Sequence, residues 1–182
     1  TGTAAYHGIV GICEKIRLAG SGYVAWVDAT SGEDTFAELD KEDISALMAG
    51  VAEYALDGAK FYCSGVANAL VFNSLKSAGG GNTIQTLEGK PAYAYLGYPI
   101  VTTPTMPVTQ STINNTAMIL FGNLNEAVAF GDRRGIRLAK STERYFDQDI
   151  VAIKATERVD IVVHSIGDTT NPGPVAALMG NT

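Results

Sequence analysis

Apolar and polar residues alternate along residues 150–163 of the chain. Such alternation is the pattern of a β-strand, whose successive side chains point to opposite faces. One face would carry Val151, Ile153, Ala155, Val159, Ile161 and Val163, interrupted by Glu157, and the other Lys154, Thr156, Arg158 and Asp160. A strand of this length reaches roughly 45 Å at ~3.3 Å per residue, whereas a compact chain of this size has a radius of gyration of roughly 16 Å. The pattern therefore predicts a long strand that projects from the body.

Helical periodicity of apolar residues predicts two helices in the first half of the chain. The first spans 41–57, with Asp40 as its N-cap and apolar residues repeating along one face. The second spans 65–77 and is capped by Ser64, directly after a short strand at 59–63. This succession favours layers in which helices cover the faces of a sheet.

Short apolar runs elsewhere predict further strands. Ile9–Ile12 and Tyr23–Val27 are expected to be short strands or loop segments, whereas 98–101 and 117–121 are expected to be central strands. Residues 132–135 are expected to form a turn that makes a hairpin of the apolar runs on either side. The predicted fold class is therefore α+β, with a central mixed sheet flanked by the two helices and a long projecting β-ribbon.

The charges of the chain are few and unevenly placed. Charged residues make up 18% of the sequence, the formal net charge is −6, and residues 1–57 carry ten acidic residues against three basic ones. The sequence has no cluster of Lys and Arg that could displace counterions from nucleic-acid phosphates, so sequence-specific binding to DNA or RNA is not expected. No apolar run approaches the ~20 residues that span a bilayer, so no membrane partner is expected either.

The residues that could carry catalysis lack the partners that catalysis requires. His164 is one of only two histidines, and Ser64 lacks the flanking glycines of a hydrolase nucleophile turn. The two cysteines form no CxxC pair for zinc or redox chemistry. The carboxylate pairs Glu33-Asp34 and Glu42-Asp43 fall in polar segments, where solvation accounts for them. The sequence therefore predicts no enzyme activity, no cofactor and no metal site.

Several short motifs follow one another along the chain. The series is Thr1-Gly2-Thr3, Gly8-Ile9, Leu96-Gly97-Tyr98-Pro99-Ile100-Val101, Pro104-Thr105-Met106-Pro107, Ile119–Leu124, Phe130-Gly131-Asp132-Arg133-Arg134-Gly135-Ile136 and Glu157-Arg158-Val159-Asp160. In order and spacing, these motifs resemble the major capsid proteins of tailed bacteriophages, which have the Hong Kong 97-like fold. Two residues depart from that resemblance, since Asn123 stands where Asp is common and Leu124 where an aromatic residue is common.

The resemblance implies a division of the chain into two parts. Residues 1–131 and 162–182 would form a region like the family's axial domain, and residues 132–161 would form strands of its peripheral domain. The family's N-terminal arm, extended loop and spine helix would all lie upstream of Thr1. The strand that alternation predicts falls within the peripheral segment.

The resemblance also implies a function. It indicates a structural subunit of an icosahedral phage capsid, or prohead, that assembles with copies of itself into pentamers and hexamers. The shell would enclose double-stranded DNA without sequence-specific binding, with scaffold, prohead protease and portal as further partners. Its location would be the virion capsid, after assembly in the bacterial cytoplasm.

Residues 132–160 hold six acidic and seven basic residues. This near balance fits pairing with complementary charges on neighbouring subunits better than binding to one anionic partner. The predicted subunit-interface residues are Arg133, Arg134, Arg137, Lys140, Arg144, Glu157, Arg158 and Asp160.

Two other functions stay open. One is an encapsulin-type nanocompartment shell protein, which shares the fold. The other is a small-ligand-binding α+β domain or hydrolase, which a pocket with convergent polar groups around His164 or Ser64 would favour.

Overall fold

A computed structural model describes residues 9–75, 84–87, 90–110, 113–143, 146–148 and 150–181. The helices are α1 (Ile12–Ala19), α2 (Lys41–Ala49), α3 (Gly65–Ala67) and α4 (Leu124–Ala127). The strands are β1 (Trp26–Asp28), β2 (Lys60–Cys63), β3 (Ile84–Leu87), β4 (Lys90–Tyr95), β5 (Tyr98–Thr102), β6 (Ala117–Gly122), β7 (Val128–Ser141), β8 (Ala152–Val163) and β9 (Val175–Met179). Short 3-10 turns occur at Glu53–Ala55 and Phe146–Gln148.

Seven strands form one sheet in the order β1-β9-β6-β2-β5-β4-β3. The pairs β1–β9 and β2–β5 are parallel and the other pairs are antiparallel, so the predicted mixed sheet is confirmed. Strands β7 and β8 pair only with each other among the described strands and form the predicted ribbon. The α+β fold class is therefore confirmed.

At β9 both faces of the sheet are buried. Residues of β9 alternate between two apolar clusters, with Ala176 and Leu178 in one and Val175, Ala177 and Met179 in the other. All five are fully buried. Because β9 is covered on both faces, it reads as a continuous apolar run rather than an alternating one.

The two predicted helices lie on the same face of the sheet. The cluster there contains Ile44 and Leu47 of α2 and Phe72 from the segment that continues α3. The opposite face is covered by α1, whose Ile16 is fully buried. The expectation of strands or loops at Ile9–Ile12 was therefore wrong at its end, because Ile12 begins the amphipathic helix α1, whose buried residue is Ile16.

The predicted start of α2 is confirmed, but its predicted end was wrong. Asp40 caps the helix, accepting hydrogen bonds from the backbone N–H groups of Glu42 and Asp43. The helix ends at Ala49 instead of continuing to 57. After it the backbone pairs with the far end of the chain, and Ala52 N–H donates to the Gly173 carbonyl at 2.9 Å. This long-range bond replaces the helical bonds that local periodicity alone predicts.

The predicted helix at 65–77 is confirmed in part. Ser64 caps it, since its Oγ accepts a hydrogen bond from Ala67 N–H at 3.1 Å. The helix then widens into a π-turn at Asn68–Phe72 before residues 73–75 return to α-helix. The wider turn brings Phe72 against Phe61 of β2, with ring centroids 5.3 Å apart in an edge-to-face arrangement. Residues 76–83 lie outside the described residues.

The predicted turn at 132–135 was wrong, because β7 runs through it without interruption. The long strand predicted at 150–163 is present as β8, and its partner is the whole of β7. Two register shifts, between Asp132 and Arg134 and between Arg134 and Arg137, absorb the extra residues as bulges. Charged residues and a glycine looked like a turn in the sequence, but here they mark irregular pairing in an exposed strand.

Candidate functional site

The β7–β8 ribbon carries the predicted interface residues. Arg133, Arg137 and Lys140 lie exposed on β7, and Glu157, Arg158 and Asp160 lie exposed on β8. Arg134 pairs with Arg158 in the register, although its side chain lies outside the described residues. Arg144 also lies outside the described residues. The structure thus places six of the eight predicted side chains on one two-stranded sheet.

Register sorts the side chains of the ribbon onto two unlike faces, because directly paired residues point to the same side. One face is mainly apolar and joins Val128 to Val163, Phe130 to Ile161 and Leu138 to Ala155. The other joins Gly131 to Asp160, Arg137 to Thr156 and Ala139 to Lys154, and it also carries Arg158 of β8. The ribbon is therefore amphipathic across its thickness.

The apolar face of the ribbon is open to solvent. The exposed fraction is 66% for Phe130, 73% for Leu138 and 75% for Ile153. Val159 and Ile161 are also exposed. Alternation in an antiparallel strand ordinarily means that one face is buried, and within the described residues nothing covers this one. Asp132, Lys140 and Glu157 interrupt this face, which is otherwise apolar. An exposed, mainly apolar face is typical of an interaction surface.

The polar face carries charges that form no ion pair within the part of the chain that the structure describes. Among the described residues, Arg137, Arg158 and Lys154 form no ion pair, and the ion pair present joins Glu14 to Arg17 in α1 at 2.6 Å. Exposed charges of this kind are free to pair with charges on another molecule. Arg133, Arg158 and Asp160 also line one concavity of about 310 Å³ where the first bulge falls.

Ser64 and His164, the two candidate catalytic residues, are held by structural interactions. Ser64 is fully buried and its Oγ caps α3. His164 follows β8, where its backbone N–H donates to the Ala127 carbonyl at 3.0 Å. Burial raises the pKa of the Cys63 thiol, next to Ser64, to about 12, so this cysteine stays protonated and unreactive near neutral pH.

A cavity of about 460 Å³ does include His164 in its wall, together with Lys15, Tyr23 and Asp168. The carboxylate of Asp168 is already engaged, because it accepts hydrogen bonds from the backbone N–H groups of Thr170 and Asn171, both at 2.6 Å. The hydrogen bond from the Asn171 side chain lowers the pKa of Asp168 most, and these two backbone bonds lower it further. The Asp168 carboxylate is therefore already committed to hydrogen bonds within its own loop.

The structure brings together a cluster of carboxylates at the start of α2 that the sequence did not predict. Carboxylate oxygens of Glu33, Asp40 and Asp43 lie within 4.8 Å of one another. Asp43 is only 3% exposed, so solvation does not account for it as expected. Its Oδ1 accepts hydrogen bonds from Thr30 N–H at 3.0 Å and from the Thr30 hydroxyl at 3.1 Å. Glu33 and Asp43 are ten positions apart, and no sequence motif indicates that they meet.

The cluster perturbs the acidity of both carboxyl groups. The hydrogen bond with Asp43, burial and the charges of Asp43, Asp40 and Glu38 raise the pKa of Glu33 to about 7. Burial on its own would raise the pKa of Asp43, but hydrogen bonds from Glu33, Asp40 and Thr30 outweigh burial and hold that pKa below its usual value.

None of the helices among the described residues is long and apolar enough to cross a bilayer.

Comparison with known proteins gives a family match over most of the chain. The sequence model of the "Phage capsid family" matches residues 1–165. None of the curated proteins compared with the chain matches it.

Solved structures with the same fold include two capsids and one encapsulin. The capsid of an empty GTA particle is 17% identical, with a TM-score of 0.54 over 86% of this chain and 50% of that one. The capsid of the native GTA particle is 18% identical, with a TM-score of 0.54 over 86% of this chain and 49% of that one. The SrpI encapsulin of Synechococcus elongatus PCC 7942 is 17% identical, with a TM-score of 0.55 over 88% of this chain and 54% of that one. The chain thus spans about half the length of these subunits.

Proposed function

This chain belongs to the phage capsid family, and from that premise we propose that it is the structural subunit of an icosahedral capsid shell, acting through contacts between copies of itself. The ribbon is the observation that carries the proposal. Among the described residues it presents an uncovered, mainly apolar face and charges that form no ion pair. Such a surface is completed by a neighbouring molecule.

The ion pairs across this interface involve the charged residues of the ribbon and of the segment that joins its two strands. We assign to it Arg137, Lys140, Arg158 and Asp160, together with Arg133, Arg134, Arg144 and Glu157. Exposed pairs contribute only about 0–1 kcal/mol each, so they set register and choice of partner more than strength. A closed shell repeats each contact many times, which makes a small change visible in the yield of particles.

Reversal of Arg158 tests this interface. Arg158→Glu in the full-length shell protein should lower the yield of closed particles, seen by electron microscopy and sedimentation, while circular dichroism shows an intact fold. Lys41→Glu is the matched control, because Lys41 is equally exposed but lies on α2 in the body. Normal yield and unchanged salt sensitivity for Arg158→Glu, Arg137→Glu and Arg144→Glu would refute the role of these charges.

The remaining partners follow from a shell function. The shell encloses double-stranded DNA without reading its sequence, which suits a chain of net charge −6. Scaffold, prohead protease and portal would act during assembly in the bacterial cytoplasm, before the subunit becomes part of the virion. We also propose the axial division at 1–131 and 162–182 and the peripheral strands at 132–161; the ribbon itself runs from Val128 to Val163.

The proposal includes the absence of catalysis. His164→Ala should leave particle formation and infectivity intact, because its known interaction is through the backbone. Ser64→Ala should cost about 1 kcal/mol of stability through loss of the helix cap without loss of function. Loss of infectivity in either variant, with normal folding and particles, would contradict this part of the proposal.

An encapsulin-type shell is the second candidate, since SrpI shares the fold with a TM-score of 0.55. The two differ in what the shell encloses. Purified particles that contain packaged double-stranded DNA favour the capsid, whereas particles filled with a cargo enzyme favour the nanocompartment. The neighbouring genes discriminate as well, a prohead protease or scaffold reading frame against a cargo enzyme.

A further inference from the structure

We propose that Glu33 and Asp43 share one proton, and that this shared proton stabilises the packing of the Thr30–Asp34 segment against the start of α2. The inference concerns the body of the molecule and does not depend on the proposed shell function. It rests on the position, burial and hydrogen bonding of the two carboxyl groups.

Asp43 is fixed as an ionised acceptor. It is the third residue of α2, and its Oδ2 accepts a hydrogen bond from Asp40 N–H at 3.0 Å in a capping box. Its Oδ1 accepts both donors of Thr30. Backbone N–H groups at a helix N-terminus stabilise negative charge, so this carboxylate keeps its charge despite being buried.

Glu33 faces Asp43 without a compensating cation. One of its carboxylate oxygens is enclosed and has no hydrogen-bond partner. The elements packed around it supply Asp40 and Asp43 from α2 and Glu38 from the preceding turn, all acidic. On the remaining side, Ile113 and Asn181 make backbone contacts and are uncharged. Among the described residues no cation pairs with this cluster, so a proton on Glu33 is what relieves the repulsion.

The proton would hold together parts of the chain that are distant in sequence. The segment that carries Glu33 bonds to the residues after β9, where Asn181 N–H donates to the Glu33 carbonyl at 3.2 Å and Gly32 N–H donates to the Asn181 carbonyl at 3.2 Å. It also receives a hydrogen bond from Ile113 N–H to the Asp34 carbonyl at 2.6 Å. The carboxyl pair therefore links three parts of the chain: the start of α2, this segment and the residues that follow β9.

The sign of the pH dependence follows from the raised pKa of Glu33. A carboxyl group that binds its proton more tightly in the folded state adds stability that is fully present below its unfolded pKa. That stability is lost as the pH rises from about 4.5, the ordinary value, through about 7, the folded pKa. The contacts between this segment and α2 should therefore be most stable in mild acid and less stable as the pH rises through about 7.

A titration of the 182-residue chain, with a chelator present to remove divalent cations, tests the shared proton. The 13C chemical shift of the Glu33 side-chain carboxyl should titrate with a midpoint within about one unit of 7. Amide hydrogen exchange of Gly32 and Asn181, corrected for intrinsic rates, should accelerate by ~10-fold or more between pH 6 and pH 8. Glu33→Gln keeps a neutral side chain that can donate to Asp43, so it should abolish this acceleration.

Glu42→Gln is the matched control, because Glu42 is an exposed carboxylate in the same helical turn. It should leave the pH dependence of Gly32 and Asn181 as in the wild type. A Glu33 midpoint below about 5.5 overturns the proposal, by the ordinary range of glutamate. Equal pH dependence in Glu33→Gln and wild type overturns it as well. If Glu33→Gln does not fold, the wild-type titration decides alone.

Discussion

Strands β8 and β9 are both rich in apolar residues, yet β8 is exposed except at its two ends and β9 is fully buried. Each of the five residues of β9 is out of contact with solvent, and they feed two apolar clusters on opposite faces of the sheet. The residues of β8 between its two ends are exposed on both faces. The body of the molecule thus completes its core within the chain, whereas the ribbon does not.

This difference shows which part of the molecule is self-sufficient. The body has α2 and α3 on one face of its sheet and α1 on the other, so its apolar residues stabilise the isolated chain. A two-stranded sheet that stands alone is marginally stable at best in water. The apolar residues of the ribbon therefore contribute their free energy only when another molecule covers them.

A pair of phenylalanine substitutions gives the largest expected contrast. Phe121 of β6 is fully buried, with its ring centroid 4.4 Å from that of Phe61, whereas Phe130 of β7 is 66% exposed. Phe121→Ala should lower the free energy of unfolding by roughly 3–5 kcal/mol, and Phe130→Ala by less than about 1 kcal/mol. Urea denaturation measures both. Equal losses would show that the face bearing Phe130 is covered in the isolated chain.

Two glycines give a second contrast. Gly122 ends β6 with φ +136°, and a Cβ there would meet the backbone of Pro174 and Val175. In the ribbon, a Cβ on Gly131 would come no closer than 3.8 Å to the Asp160 carbonyl oxygen. Gly122→Ala should therefore destabilise the chain by about 2–3 kcal/mol, and Gly131→Ala should be within about 0.5 kcal/mol of neutral. Thermal denaturation of the two variants measures this difference. A larger loss of stability in Gly131→Ala than in Gly122→Ala would contradict the prediction.

Two asparagines at the junction of body and ribbon differ more subtly. Asn123 Nδ2 donates to the Asp57 carbonyl at 2.9 Å, and its side chain also caps α4. Asn125 is exposed and serves the cap only through its backbone N–H. Asn123→Asp replaces a donor with a charged acceptor and should cost about 1 kcal/mol, while Asn125→Asp should be nearly silent. A stable Asn123→Asp variant would mean that the bond to Asp57 contributes nothing measurable.

The smallest expected effect is that of Arg158→Glu on the isolated chain. Arg158 is exposed and has no ion pair among the described residues. Its substitution should change the free energy of unfolding by less than about 0.5 kcal/mol. Chemical denaturation of the 182-residue chain measures this change, and it separates a fold defect from an assembly defect. A loss above about 2 kcal/mol would show that Arg158 stabilises the fold of the chain itself, and it would contradict its assignment to the subunit interface.

Local signals succeeded where the structure is locally determined. The capping residues Asp40 and Ser64 were predicted correctly, because an N-cap needs only a side-chain acceptor and the next few backbone N–H groups. The strands predicted at 98–101 and 117–121 were also correct, and each is one residue longer in the structure. Strand β9 was missed: its run of five apolar residues lacks alternation, which is what burial on both faces produces.

The errors share one physical cause, which is competition from distant parts of the chain. Helix α2 stops at Ala49 because the following backbone bonds to Gly173. The Asp132-Arg133-Arg134-Gly135 segment stays extended because β8 supplies a partner along its whole length. Neither partner is visible within a window of neighbouring residues.

The sequence by itself determined the alternating strand, the helix caps, the charge-poor central strands and the family resemblance that the match over residues 1–165 confirms. All of these depend on short-range order or on motifs read along the chain. Only the tertiary structure decided that both predicted helices share one face, that the ribbon is exposed on both faces, and that Glu33 meets Asp43. Each of these is a matter of which surfaces meet in space, and local periodicity records only that a face is apolar, not what covers it.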